Sequence, residues 1–487
     1  MENKLKKVHI GLIIVGIIFI SLGIFHNNAW FDESYSIGIA THSFSEIWQI
    51  GGNDVHPILY YWVLHLIQML TSGSLIAYRI FSFIPIAILG ILGYTHIRKD
   101  FGPKTGILFT LFAYFMPACA IYAGEIRMYS WAILLVTILA IYANRLTKKD
   151  TIKNWIIFGI TSVLCIYIHY YGLMAAGLIN VFLLIYLIKN KRKNGIIAIV
   201  SFGILQLALY VPWLLYFIKQ LSQVSGGFWI GFIFPDTIIE LSSAQFIGNL
   251  HCYICFVAAL FINICLFYTI IKDRKDNKPA ILSLGTYLAV MLAAIIMTLI
   301  LGTFIIYYRY LFVVTGLYIF ALSHAIAHSK NKYMLVAVCA VIVICGIWSN
   351  CINIYNNYNT SNGKELEYIA ENLEENDVFV YSDIGAGSVM AINFTENKQY
   401  FYNEANWGVE EAYKAFGPQM ETRITKDFLN ECNSRIWVVD APNGSLYSDL
   451  FDNENYNLIS EKEINTAYHE YGYKITLVEC VKGDVDN

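Results

Sequence analysis

The sequence predicts a polytopic α-helical membrane domain followed by a small extracytoplasmic α/β domain. Three observations carry that expectation. Of 487 residues, 57% are hydrophobic and only 14% charged, and mean hydropathy is +0.52; a soluble domain carries about 25% charged residues. Eleven apolar stretches approach the roughly 20 residues needed to cross a bilayer. Beyond residue 350 the composition changes, and residues 351–487 hold 24 acidic and nine basic residues.

The expected spans lie near 8–26, 75–97, 105–123, 127–145, 154–169, 170–188, 195–217, 251–271, 280–301, 309–327 and 333–350. The first, "MENKLKKVHIGLIIVGIIFISLGIF", has a basic start and an apolar run like a signal peptide. No small-residue cleavage site follows it, so it reads as an uncleaved span. "PILYYWVLHLIQML" (57–70) is apolar but only 14 residues long. That length suits an interfacial segment better than a span.

Charge tests this assignment through the positive-inside rule. With a cytoplasmic N-terminus, alternate loops hold Lys4, Lys6, Lys7; Arg98, Lys99, Lys104; Arg145, Lys148, Lys149, Lys153; Lys189, Lys191, Arg192, Lys193; Lys272, Arg274, Lys275, Lys278; and Lys330, Lys332. Those are 20 of the 24 basic residues in the first 350; the others are Arg79, Arg127, Lys219 and Arg309. Counting 57–70 as a span would invert every later loop and destroy the pattern. The chain therefore divides into a transmembrane domain (1–350) and an extracytoplasmic domain (351–487). In the latter, "DVFVYSD", "RIWVVDA" and "KITLVEC" read as strands. "KELEYIAENLEEN" and "ITKDFLNECN" read as helices between them, which makes an α/β domain.

Net charge of −3 argues against a nucleic-acid partner. Most of the ten cysteines lie in apolar runs and read as small buried hydrophobes. Cys252 and Cys255 form a CxxC without the second pair that zinc would need. Cys432 and Cys480 can pair if the tail is exported, although spacing does not decide it.

With this topology, the polar residues of the apolar region gather on the outer face. Asp32 and Glu33 follow the first span in "FDESYSIGIA", and Asp54 and His56 lie in "GGNDVHPILYYW". "YAGEIRMYS" supplies Glu125 and Arg127, "YIHYYGL" supplies His169, Tyr170 and Tyr171, and "IIYYRYLF" supplies Tyr307, Tyr308 and Arg309. Each has a plainer reading. Glu125 and Arg127 can pair with loop partners. His169 and the tyrosines can form an interfacial belt, and Arg309 can snorkel to lipid phosphates. Asp54 and His56 can be turn residues, and Asp32 and Glu33 solvated loop charges. Their joint position on one face favours a site, because ionisable residues at membrane depth are costly and usually functional.

That residue set suits a phosphate-bearing lipid substrate. Arg127 and Arg309 can hold phosphate oxygens with fork geometry. A carboxylate nearby can take a proton from an attacking hydroxyl, and aromatic rings can stack on a sugar. Carboxylates such as Asp32 and Glu125 can instead share a divalent cation with the phosphate. Both neutralisation modes remain open. Arginine is favoured because Arg127 stands two residues after Glu125, where a second acid would complete a DxD-like metal motif.

The acid pair after the first span, "DVHPILYYW", "GEIRMYSWAILL", "IHYYGL" and "RYLF", in that order, resemble the GT-C fold glycosyltransferases. The nearest group is the protein O-mannosyltransferase and aminoarabinose-transferase-like set, and the resemblance covers about residues 8–330. It implies a polyprenyl-phosphate-linked sugar donor, an envelope glycan, lipid or protein acceptor, and inverting transfer on the extracytoplasmic side of a membrane, here a bacterial plasma membrane. By this resemblance Asp32 is the catalytic base, with Glu33 assisting. Asp54 and His56 match the second motif of the same loop, although Ile58 stands where the family often has a second proline. Arg127 and Arg309 match the phosphate-holding positions, and the first outer loop carries membrane-parallel helices. A lipid or polysaccharide transporter is the alternative; it predicts midplane charges and internal symmetry, and neither is evident. A receptor or scaffold displaying the tail would leave the outer-face cluster unexplained.

Overall fold

The computed structural model describes residues 2–359, 363–381, 384–402, 414–424, 428–432, 434–451, 456–465 and 472–480. The chain forms two compact units. The first comprises Met1–Phe25, Val55–Tyr60 and Tyr78–Ile354; the second comprises His26–Asp54, Tyr61–Ala77 and Tyr355–Asn487. The helices of the first outer loop thus group with the tail.

Among the described residues, eight helices are long and apolar enough to cross a membrane: Leu75–Phe101, Tyr129–Lys148, Tyr170–Lys189, Lys193–Ser225, Cys252–Lys272, Lys278–Leu301, Tyr308–His328 and Lys332–Asn357. Their exteriors are apolar, as a lipid-facing surface requires; Ile204, Leu215, Ile271 and Leu299 are among the exposed residues. The expected spans at 8–26 and 154–169 fold as Glu2–Ser21 and Ile152–Ile168.

The expected span at 105–123 is not one helix but two, Pro103–Phe115 and Pro117–Tyr122. Proline at 117 has no N–H for the ladder and pushes the preceding residue out of the helical region. Met116 accordingly adopts φ −63°, ψ 125°. The break directs the chain into the turn that carries Glu125 and Arg127.

Packing within the first unit relies on close approach at small residues. The Tyr114 ring lies between Gly16 and Gly90: a Cβ on either would come within 2.0 to 2.1 Å of it. The Tyr114 hydroxyl donates to the Ala87 carbonyl at 2.8 Å, so the ring stays polar-satisfied while buried.

The second unit contains a six-stranded sheet in the order β3-β2-β1-β4-β6-β5. Its strands are β1 (Val378–Tyr381), β2 (Lys398–Tyr402), β3 (Met420–Ile424), β4 (Ile436–Asp440), β5 (Tyr456–Asn465) and β6 (Gly472–Cys480). The pairs β3–β2, β2–β1 and β1–β4 are parallel, whereas β4–β6 and β6–β5 are antiparallel. The central strands β1 and β4 are buried along their whole length, as parallel strands covered on both faces must be. All three expected strands are present, as is the first expected helix, Lys364–Asn372. Of the second expected helix, "ITKDFLNECN", Ile424 instead ends β3 and Phe428–Glu431 is helical; residues 425–427 and 433 lie outside the described residues. The pairing of Cys432 with Cys480 turns on a side chain outside the described residues.

Helix Phe31–Ala40 of this unit packs against helix Ile384–Asn393. Gly38 permits the close contact it makes: a Cβ there would lie 2.6 Å from the Ala415 carbonyl oxygen and 2.7 Å from the Phe416 Cα. Helix Phe44–Asn53 starts with a capping box, in which Ser43 and Glu46 bond reciprocally. Helix Leu59–Thr71 has 13 residues, about 20 Å of rise, which is short of the roughly 30 Å hydrocarbon core.

Candidate functional site

Seven of the ten residues singled out by sequence lie in the first unit. Six come from three turns or the helix starts directly after them, 123–128, the junction at His169 and 302–307, and His56 comes from the segment Val55–Tyr60. Each turn joins helix ends opposite those bearing Arg145, Lys148, Lys153, Lys189, Lys278 and Lys330. The connectivity therefore keeps these turns away from the basic loops.

In the first turn the Arg127 N–H donates to the Glu125 carbonyl at 2.8 Å, which tightens the backbone between two charged side chains. Arg79, fully buried in helix Leu75–Phe101, donates from Nη1 to the Gly124 carbonyl at 2.7 Å. A guanidinium from another helix thus holds the turn. Arg127 is itself only 4% exposed, and Glu125 is half-buried.

At the second junction the backbone opens at His169, with φ −165° and ψ 144°, between helices Ile152–Ile168 and Tyr170–Lys189. His169 Nδ1 accepts the Tyr171 N–H at 3.1 Å. An accepting Nδ1 carries no proton, so the ring is neutral and its Nε2 is the donor. Buried His169 has Arg127 and His56 within electrostatic reach, and the two histidine rings lie 6.4 Å apart.

At the third junction Tyr307 is extended and Tyr308–Leu311 resumes the helix. The Arg309 guanidinium carbon stands 5.2 Å from the Tyr307 ring centre, a cation–π contact. Arg309, Tyr308 and Glu125 all come within electrostatic reach of the Tyr122 hydroxyl.

Tyrosines join these groups. Tyr129 lies 5.3 Å from Tyr122 and 5.6 Å from His169. Tyr310 lies 5.4 Å from His169 and 5.6 Å from Tyr171. Sequence reasoning quoted the motifs that hold Tyr122, Tyr129 and Tyr310 but did not single out these residues. Their signal was there: each stands within two residues of an expected arginine or at the start of its motif. Arg79 was missed as well, and its signal was a lone charge in the apolar run "LIAYRIFSFIPIAILGIL".

Beside His169 a cavity of about 200 Å³ opens among His56, Tyr170, Phe217, Gln220, Met297 and Tyr310. Its wall is apolar apart from His56, His169, Gln220 and the tyrosines Tyr170, Tyr171 and Tyr310. Tyr170, expected as a substrate-binding residue, lines this cavity; its hydroxyl donates to Gln220 Oε1 and accepts from Trp213 Nε1 at 3.2 Å, which leaves its ring for the wall.

Asp32, Glu33 and Asp54 lie in the second unit. "FDESYSIGIA" is itself the helix Phe31–Ala40, and its acids occupy the first turn, where the helix dipole favours negative charge. Glu33 is buried, and its Oε2 accepts the Trp30 N–H at 3.3 Å, so it caps its own helix. Asp32 is half-exposed. Asp54 closes helix Phe44–Asn53, its N–H donating to Ile50 at 3.1 Å. Among the described residues no group of three or more His, Cys, Asp or Glu side chains is placed to hold a metal ion.

No family model matches the chain, and no curated protein matches it in sequence. Its fold, however, is similar to that of ArnT from Cupriavidus metallidurans. The structure of that protein bound to undecaprenyl phosphate superposes with a TM-score of 0.61, at 10% identity and 98% coverage of both chains. Its apo structure gives a TM-score of 0.62, with the same identity and coverage. The chain shares the fold of ArnT, with many apolar helices and a sheet-bearing C-terminal region.

Proposed function

We propose that this protein is a membrane glycosyltransferase. It takes a sugar from a polyprenyl-phosphate donor and passes it, with inversion, to an envelope glycan, lipid or protein. The reading places the N-terminus in the cytoplasm, and the transfer and the C-terminal domain outside. One observation carries it: a largely apolar, ring-walled cavity is lined by the neutral donor His169, with Arg127 beside that ring. An isoprenoid chain needs such a wall, and its phosphate needs such a donor. The solved ArnT of the same fold holds undecaprenyl phosphate, which supports the donor class.

In this reading Asp32 takes the proton of the acceptor hydroxyl, and that oxygen attacks the anomeric carbon as the bond to phosphate oxygen breaks. The bonding pair leaves on the polyprenyl phosphate. Arg127 and Arg309 stabilise the charge that develops there, and His169 Nε2 donates a hydrogen bond to the same group. His56, Glu125 and Tyr308 complete the donor site, and Asp54 is assigned to the acceptor side.

The experiment is reconstitution of the full chain with polyprenyl-phosphate sugars and measurement of polyprenyl phosphate released. Wild type should release it, and Asp32→Asn should still bind donor but turn over at least about a hundredfold more slowly. Full activity in Asp32→Asn would remove the base assignment. Movement of intact donor across the bilayer without release would replace the enzyme reading with a transporter.

A further inference from the structure

A second cavity, of about 280 Å³, lies in the first unit among helices Tyr129–Lys148, Tyr170–Lys189, Lys278–Leu301 and Tyr308–His328. It sits at the opposite helix ends from the donor cavity. On the first of these helices its wall runs from Thr137 to Thr147, about 15 Å of rise. Its floor is where Gly316 meets Thr137, so close that a Cβ on the glycine would lie 1.9 Å from the threonine hydroxyl oxygen. Leu282 of its wall is 62% exposed.

Three features specify an occupant. The wall is made almost wholly of apolar side chains such as Phe101, Phe320 and Leu282. The hydroxyls of Thr137, Thr147, Tyr186, Ser283 and Thr286 in the wall all donate to backbone carbonyls, whereas Asn144 Nδ2 is buried there with no hydrogen-bond partner among the described residues. A buried donor left unpaired is costly, and an entering ligand with an acceptor oxygen would satisfy it. The third feature is positive charge at the rim. Lys148 Nζ lies 4.8 Å from the Phe101 ring centre, and the Arg192 guanidinium carbon 5.8 Å from that of Tyr186; both rings line the cavity. Exposed Lys278 directly precedes Pro279 of the wall. Arg145 is already committed to Asp100, at 2.8 and 3.3 Å.

We propose that this cavity holds one acyl chain of an anionic glycerophospholipid from the leaflet on the basic side. The chain enters at Leu282 and lies along the apolar wall. Asn144 donates to the glycerol ester carbonyl, and Lys148, Lys278 and Arg192 face the phosphate. No bond is made or broken. The site is distinct from the donor cavity and does not depend on the glycosyltransferase reading.

The test is native mass spectrometry of the delipidated full-length protein, titrated with phosphatidylglycerol or phosphatidylcholine of identical chains. Wild type should favour phosphatidylglycerol by at least about fivefold, roughly what one basic residue near a headgroup supplies. Ala140→Trp should fill the cavity and abolish the bound lipid. Asn144→Leu, nearly isosteric, should weaken it about fivefold and keeps the test available if the tryptophan variant fails to fold. Lys148→Gln with Lys278→Gln should erase the headgroup preference while chain binding persists. Equal binding of the two lipids, adducts unchanged in both cavity variants, or displacement of phosphatidylglycerol by undecaprenyl phosphate would overturn the proposal.

Discussion

The ring of Tyr129 lies 5.6 Å from that of His169, 5.3 Å from that of Tyr122 and 6.5 Å from that of Tyr310. Tyr129 thereby joins the Glu125, Tyr308 and Arg309 group to the His56, Arg127 and His169 group. Aromatic pairs of this kind contribute about 0.5–1.5 kcal/mol each beyond burial. Tyr129→Leu removes three of them, and kcat/KM for the donor should fall at least about tenfold. Tyr129→Phe, which keeps the ring contacts, should stay near wild type. Steady-state kinetics of the two variants distinguishes ring packing from a role for the hydroxyl.

His169 does two things, capping the Tyr170–Lys189 helix and presenting Nε2–H. His169→Asn can keep the cap, since asparagine is a good N-cap residue, but it removes the ring. His169→Phe keeps a ring and removes the donor. Donor KM should rise about tenfold in His169→Phe, the value of one hydrogen bond to a charged group. A melting temperature lowered in His169→Phe but preserved in His169→Asn would separate the cap from the donor role.

Arg127 and Arg309 are assigned to the phosphate because a planar fork suits two oxygens at once. Lysine keeps the charge and loses the fork. Arg127→Lys and Arg309→Lys should each lower kcat/KM by about tenfold to a hundredfold. Wild-type kinetics in both would show that neither arginine meets the phosphate.

The neighbouring acids of "FDESYSIGIA" should separate cleanly. Glu33 caps through an oxygen that glutamine also has, so Glu33→Gln should retain most activity. Glu33→Ala should cost about 0.5–2 kcal/mol of stability. Asp32→Asn should cost less than about 1 kcal/mol of stability and slow turnover at least about a hundredfold. Thermal melts and turnover measured on the same three preparations check this, and loss of activity in Glu33→Gln would give Glu33 a chemical role.

The sheet domain carries its own pH dependence. Burial raises the Asp377 carboxyl's pKa, but bonds from Arg435, the Glu374 N–H and Trp437 outweigh it and hold the pKa below the ordinary 3.8. A depressed carboxylate contributes stability that is present above its unfolded pKa and lost as pH falls through the folded value. Protection of strands β1 and β4 against hydrogen exchange should therefore hold at neutral pH and fall away below about pH 4. Asp377→Asn should destabilise the domain by about 1–3 kcal/mol at pH 7, because Arg435 keeps Glu374 and the Asn372 carbonyl as partners, and should flatten that acid limb.

Much of the fold was legible because membrane insertion is read from sums along the chain. Apolar length marks helices such as Leu75–Phe101 and Lys278–Leu301, and the segregation of lysine and arginine orders their ends. The break at Pro117 was equally present in the sequence, but apolarity averaged over a window conceals one missing N–H. At Ile424 the helix preference of "ITKDFLNECN" yields to pairing with Tyr402 of β2, a long-range term that no window contains.

The site was legible as a list. The charges at Glu125, Arg127 and Arg309 and the imidazole at His169 stand out because an apolar background makes each costly. Sequence by itself determined which ionisable groups exist, and the alternation of helices determined which turns they share. Only the tertiary structure decided what they touch: that Tyr129 joins two groups, that Arg79 holds the Gly124 carbonyl, that the Tyr170 hydroxyl is committed to Gln220 and Trp213, and that Glu33 caps the helix it begins. The physical reason is range. Hydropathy and charge act residue by residue along the chain. Ring contacts and hydrogen bonds act over a few ångströms between residues such as Arg79 and Gly124, which only packing brings together.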